Sequence, residues 1–213
     1  MIEPDTRLRV ARGIAKTETE ACKKVFETLK RRGHPDRPAP TISDGWGGID
    51  QAMVEVYGQV PPYKGRGRPP TKKHPVERWQ YLQMVKQRDE RGRLIATKLR
   101  VIFGQQDEVI AKLGGSTAYI ERTHLTMRHM NGRLVRKGLG FSKLLGMHEA
   151  QAVWEDIVYN LGRPLKTLGE EVCGDPSRRW RSRTPAMAAG LSDHRWTVKE
   201  LLTVRVLPER SNT

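Results

Sequence analysis

A mixed α/β fold, a sheet flanked by helices, is what the sequence predicts, and three observations predict it. Residues 40–43 form a short β-type run that ends in Asp44 and meets Gly45, Gly47 and Gly48 before a helical pattern begins. Residues 78–103 hold two runs rich in aromatic, aliphatic and Thr side chains. They are separated by Arg88-Asp89-Glu90-Arg91-Gly92, the turn of a β-hairpin. Four other stretches repeat apolar side chains at helical spacing.

The first helix is expected over residues 17–32. Thr17 and Glu20 read as a capping box, Ala21, Cys22, Val25, Phe26 and Leu29 line one face, and Gly33 with Pro35 stops it. Ahead of it, Glu3-Pro4-Asp5-Thr6 signals a turn. The alternation Arg7-Leu8-Arg9-Val10-Ala11-Arg12 predicts a strand with one buried face. With no linker before that strand, a further segment upstream is expected. Residues 49–57 predict a short helix with Ile49, Ala52, Met53 and Val56 inward.

Residues 60–75, VPPYKGRGRPPTKKHP, are dense in Pro, Gly, Lys and Arg and predict an extended segment. Arg66-Gly67-Arg68-Pro69 has the form of an AT-hook core, whose slim backbone suits a narrow, electronegative minor groove. A basic loop touching phosphates is the plainer reading of the same residues. In the hairpin, Trp79, Tyr81, Val101 and Phe103 are read as sheet packing. A short helix over 107–113 closes at Gly114-Gly115.

Residues 117–137 predict a long helix. Ser116 or Thr117 caps it, and Ile120, Thr123, Met127 and Leu134 form its buried stripe. Glu121 lies at the edge of that stripe and in the first turn, where the helix dipole favours an acid. Arg128 follows seven residues later on the same side, and Arg122, Arg133, Arg136 and Lys137 load the other faces. The plain reading of Glu121 is an ion pair, with Arg128 as partner. A further helix is expected over 141–160. Residues 167–183 read as a polar loop, residues 184–191 as one helical turn, and residues 196–206 as a last helix or strand.

Composition narrows the function. Hydrophobic residues make up 37% and charged residues 30%, so a modest core carries long polar segments. Lys plus Arg number 39 against 24 acids, a net charge of +15, which points to a polyanion, nucleic acid foremost. A membrane surface is disfavoured because the basic residues are spread through the chain with no strongly apolar amphipathic segment. Cys22 and Cys173 stand far apart and form no zinc pattern, and Cys22 falls on an apolar helix face. No apolar run is long enough to span a bilayer, and no signal-peptide pattern opens the chain. A cytoplasmic, nucleoid-associated protein is expected.

Several segments together resemble the DDE transposases of bacterial insertion sequences, in the superfamily of retroviral integrases. Residues 2–6 with the following strand look like later strands of that sheet. Ser43-Asp44-Gly45-Trp46 resembles the family's S-D-G-aromatic motif. Ile120-Glu121-Arg122, with Leu125, Arg128 and residues 133–143, is similar to its I/V-E-R helix and R-K-T-L-S-F-S segment. Tyr159-Asn160 with Arg163-Pro164 resembles its Y-N-x-x-R-P close, and residues 184–191 its T-P-A-M-A-A-G-L.

The resemblance implies an RNase H-like mixed sheet flanked by helices, with a β-hairpin insertion and the first strand missing. It implies a partial catalytic domain over 1–165, a basic insertion over 58–115 and a C-terminal extension over 166–213. It also implies Asp44 and Glu121 as catalytic, metal-binding carboxylates for two Mg²⁺ or Mn²⁺ ions. The partners would be transposon-end and target DNA, met by Lys64, Arg66, Arg68, Lys72, Lys73, Arg122, Arg128, Arg133, Arg136 and Lys137; self-association is a further expectation. The family's first catalytic Asp has no match in this chain, and Asp5 does not replace it. The 213-residue chain is therefore expected not to bind both ions fully and not to cut or join DNA. The alternatives are a non-catalytic basic DNA-binding protein, with Asp44 and Glu121 far apart, and a regulatory transposase fragment, with the two close together.

Overall fold

The computed structural model describes residues 1–65, 67–135, 138–172 and 179–205. Arg66, Arg136, Lys137 and Cys173 lie outside the described residues. The chain divides into two compact units, one of residues 1–4 and 10–125, the other of residues 5–9 and 126–213.

In the first unit, α1 (Glu18–Arg32) starts where expected. Thr17 Oγ1 accepts from the Glu20 amide, and the Gly33 amide returns to the Leu29 carbonyl. β1 (Thr41–Asp44) and α2 (Gly48–Tyr57) follow. β2 (Tyr81–Arg88) and β3 (Leu94–Phe103) form the predicted hairpin, closed by bonds between Asp89 and Arg93 and by Gly92 at φ 77°. The hairpin is part of the main sheet: β2 runs parallel to β1 and antiparallel to β3, giving the order β1-β2-β3.

Alternation along β2 sorts its neighbours. Tyr81 and Gln83 face α1 and α2, where Phe26, Leu29, Ala52, Met53, Val56, Tyr57 and Trp79 form the core. Phe26, Tyr57, Trp79 and Phe103 meet edge to face, and Trp79 and Tyr81 are buried as expected; Val101 is exposed instead. Cys22 packs against this core, and burial pushes its thiol up to about 11. On the opposite face, Gln80 is hydrogen-bonded to Glu108 and Lys112 of α3 (Gln106–Leu113), and Leu82 is fully buried. The unit is thus a three-stranded mixed sheet with helices on both faces.

The strand expected over residues 7–12 does not form. The Pro4 turn continues into Arg7, whose φ is 59°, and along this segment the charged Arg9 is buried as well as Ala11. The long helix of 117–137 is shorter than expected. α4 (Ala118–Met130) contributes to both units and stops at Asn131, whose side chain accepts from the Arg133 amide and caps a 3₁₀ turn, Gly132–Leu134. An Asn side chain competes for backbone groups and Gly132 is a poor helix former, so the apolar spacing alone does not carry the helix through.

In the second unit, α5 (Leu145–Ile157) runs into a π-helical turn, Val158–Gly162. β4 (Leu165–Glu171) and β5 (Trp180–Arg183) pair antiparallel where a loop was expected. Their ladder is supported by charge: Arg181 meets Glu170 at 2.8 Å and Arg179 meets Glu171 at 3.0 Å. α6 (Pro185–Ala188) is the expected turn, capped by Thr184, and α7 (Val198–Thr203) starts with a Thr197–Glu200 capping box.

Beside the buried Ala152, Tyr159, Leu168 and Ala186, this unit buries a polar network. Arg9 Nη1 donates to Glu155 Oε1 at 2.9 Å and Asp156 Oδ1 at 3.2 Å, and its guanidinium carbon lies 3.9 Å from the Tyr159 ring centre. The Asn160 side chain brackets the Arg9 backbone, accepting its N–H and donating to its carbonyl, both at 3.0 Å. Asn131 Nδ2 reaches Glu155 Oε2 at 3.4 Å.

Candidate metal and nucleic-acid site

The parallel register of β1 on β2 fixes the position of Asp44. Thr41 is opposite Tyr81, Ser43 opposite Gln83 and Asp44 opposite Met84. Register partners share a face of the sheet, and successive residues alternate. Ser43 belongs to the core face, where its hydroxyl meets the Tyr81 hydroxyl at 2.8 Å. Asp44 therefore shares the opposite face with Met84 and Lys86, at the C-terminal end of β1, where it is exposed.

The start of α4 reaches the same face. Thr117 Oγ1 lies 3.6 Å from Met84 Sδ and 3.2 Å from Glu121 Oε1, and its single proton can be donated to either. Lys86 Nζ lies 2.9 Å from Glu121 Oε1. The ion pair expected of Glu121 is thus made with β2 rather than along its own helix. The Lys86 hydrogen bond is the main cause that holds the Glu121 carboxyl below the usual carboxylate range. Asp44 is in register with Met84 on β1–β2, and Glu121 meets Lys86 two residues further along β2. The sequence reading missed Lys86, although it occupies the same-face, period-two position after Met84.

Asp44 also serves its turn, accepting from the Trp46 amide at 3.4 Å, while the Trp46 carbonyl accepts from Gln83 Nε2 at 3.0 Å. These bonds fix the chain as it leaves the sheet and so fix the Asp44 backbone.

The donor set suits a hard cation. Two carboxylates on one exposed face offer oxygen ligands of the kind Mg²⁺ and Mn²⁺ take, and Glu121 already accepts a cation, the Lys86 ammonium. The set falls short of what two ions need, and among the described residues no group of three His, Cys, Asp or Glu side chains is placed to hold a metal.

The basic residues fall in several places. Lys64, Arg68, Lys72 and Lys73 are exposed on the segment between Gln59 and His74, which are joined by two backbone hydrogen bonds of 3.0 and 2.9 Å. Within the segment, the Tyr63 hydroxyl donates to the Gly67 carbonyl at 2.9 Å. Arg122 is exposed on α4 in the first unit. Arg128 is exposed and Arg133 half-buried in the second. Arg66, Arg136 and Lys137 are outside the described residues.

Comparison of the chain with protein-family models, with curated proteins and with solved structures finds no match. Among the described residues, no helix is long and apolar enough to cross a membrane.

Proposed function

We propose that this chain is a DNA-binding protein of the insertion-sequence transposase kind, built on an RNase H-like sheet, with Asp44 and Glu121 as divalent-metal ligands. The observation that carries the reading is the β1–β2 register, which sets Asp44 beside Met84 on the face that Thr117 and Glu121 also touch. What supports the reading is that residues from two segments some eighty positions apart, Asp44 and Glu121, each neighbour one end of β2.

In this reading, Mg²⁺ or Mn²⁺ would activate a water or a DNA 3′-hydroxyl and stabilise the leaving oxygen of a phosphodiester. The chain's own residues have narrower tasks. Asp44 and Glu121 supply oxygen ligands. Lys64, Arg68, Lys72 and Lys73 attract the phosphate backbone, and Arg122 and Arg128 extend that field along α4. Two ions ~3.5–4 Å apart need more hard ligands than two carboxylates. The 213-residue chain by itself therefore holds metal incompletely and binds DNA without cutting or joining it, as a regulatory fragment would.

The test combines DNA binding with strand transfer. Gel-shift affinity should fall steeply with salt. Reversing Lys64, Arg68, Lys72 and Lys73 to Glu should reduce the log–log salt slope by up to roughly 3–4 units, at about 0.9 per lost phosphate contact. The loss should be equal across sequences; a loss confined to A·T-rich DNA would favour the minor-groove reading of the loop. Salt-insensitive or absent DNA binding would overturn the proposal. Strand transfer with Mn²⁺ by this chain alone would overturn its inactivity.

A further inference from the structure

We propose that the outer half of the β2–β3 hairpin is an arm that enters the major groove of a DNA duplex. This rests on the DNA-binding reading above and adds a contact surface separate from the 59–74 segment. From Lys86 to Lys98 every residue except Asp89 and Ala96 is exposed, on both faces of the ribbon. Nearer the sheet, Tyr81, Leu82 and Gln83 are buried. The hairpin therefore outruns the layers that support it. A two-stranded ribbon exposed on both faces is only marginally stable by itself, so these residues contribute little to holding the fold.

The charge of the arm selects its partner. Residues 86–100 hold six basic side chains, Lys86, Arg88, Arg91, Arg93, Lys98 and Arg100, against Asp89 and Glu90. The Asp89 carboxylate is occupied within the turn, where it accepts from the Arg93 amide at 2.7 Å. Lys86 is paired with Glu121 and Arg100 donates to Gln83, both at the base of the arm. The outer end keeps the positive field of Arg88, Arg91, Arg93 and Lys98. Arg88 Nη1 donates to the Gly92 carbonyl at 2.7 Å, which orders the guanidinium without cancelling its charge. Beside these cations, Leu94 and Ile95 are 55% and 67% exposed. A duplex answers both features: phosphates match the cations, and thymine methyl groups in the major groove match the apolar side chains.

The dimensions agree. The major groove is ~12 Å wide and admits a two-stranded ribbon, whereas the minor groove is only ~6 Å wide. At ~3.3 Å per residue, residues 86–88 carry the ribbon roughly 10 Å outward before the turn is added. That exceeds the groove depth of ~8.5 Å. The tip is also preformed. The Asp89 amide donates to the Arg93 carbonyl and the Gly92 amide to the Asp89 carbonyl, both at 2.9 Å, with Gly92 at φ 77°. An arm ordered before binding loses little conformational entropy on entering the groove.

The experiment is a gel-shift titration of the full chain over a salt series, on a duplex and on the same duplex methylated at guanine N7, a major-groove atom. Wild type is compared with a triple variant, Arg91→Gln, Arg93→Gln and Lys98→Gln, and with a double variant, Leu94→Thr and Ile95→Thr. Circular dichroism first establishes equal folding. The triple variant should lower the log–log salt slope by roughly 2–3 units, at about 0.9 per lost phosphate contact. The double variant should weaken binding severalfold at an unchanged slope. Methylation should weaken wild-type binding roughly threefold or more, and binding by the triple variant much less. Wild-type binding indifferent to methylation would overturn the major-groove placement without any variant. A wild-type slope in the triple variant, or wild-type affinity in the double variant, would overturn the arm and leave DNA binding by the 59–74 segment standing. Absence of salt-dependent DNA binding by wild type would overturn the DNA reading, and the arm with it.

Discussion

Ring edges fill the centre of the first unit, where Phe26, Tyr57, Trp79 and Phe103 interlock, whereas in the second unit the buried centre is held by Arg9, Glu155, Asn131 and Asn160. An apolar core loses stability roughly in proportion to the volume and contact removed. A buried charge network depends on every member, since removing one leaves its partner desolvated. Arg9 is extreme in this respect: its side chain is 4% exposed, and its Nε and Nη2 atoms are buried without a hydrogen-bond partner among the described residues. The first unit, which carries both proposed metal ligands, thus rests mainly on packed rings, and the second also rests on a buried charge network.

The largest effect is expected at Arg9. Replacing it with Ala leaves Glu155, itself 2% exposed, without its cation and should cost about 3–5 kcal/mol. Hydrogen exchange should show lost protection across α5 while β2 keeps its own. Equal loss in both units would break the contrast. Tyr81→Phe should cost less, roughly 1–2 kcal/mol, because its hydroxyl meets both Ser43 and Gln83 at 2.8 Å and the Gln83 amide is buried. A cost near that of Arg9→Ala, read from urea unfolding, would mean that the first unit also rests on polar bonds. Glu170→Ala removes exposed pairs with Arg181 and Arg183 and should change stability by less than about 1 kcal/mol. A larger change would place the β4–β5 ladder among the structural supports of the second unit.

The same contrast explains what the sequence made legible. α1, α2, the hairpin and α6 were readable because their signals are local: a Thr17 cap, a helical apolar stripe, an Asp89–Gly92 turn, a Thr184-Pro185 start. The charged centre of the second unit was not. Alternation puts Arg9 outward, yet it is buried, because its partners lie some 150 positions away and leave no trace in the local pattern. β4 and β5 escaped for a related reason: Glu170, Glu171, Arg179 and Arg181 read as a solvated loop until they face one another across a ladder. In the candidate site, Asp44 and Glu121 were singled out by motif resemblance. Lys86 was not, because a lysine on a basic strand carries no signal until the helix that meets it is in place.

The two backbone bonds between Gln59 and His74 have a mechanical meaning. Fourteen residues lie between those anchors, five of them Lys or Arg and none acidic. At ~3.5 Å per residue, a loop fixed at both ends can carry its tip at most about 25 Å from its base. A DNA major groove is ~8.5 Å deep. In the proposed DNA-binding role, this reach would let the segment's positive charge meet a duplex ahead of the sheet, with its base held closed by the Gln59–His74 bonds. The segment works as a leash of fixed length, and its reach is set by two hydrogen bonds rather than by the basic residues themselves.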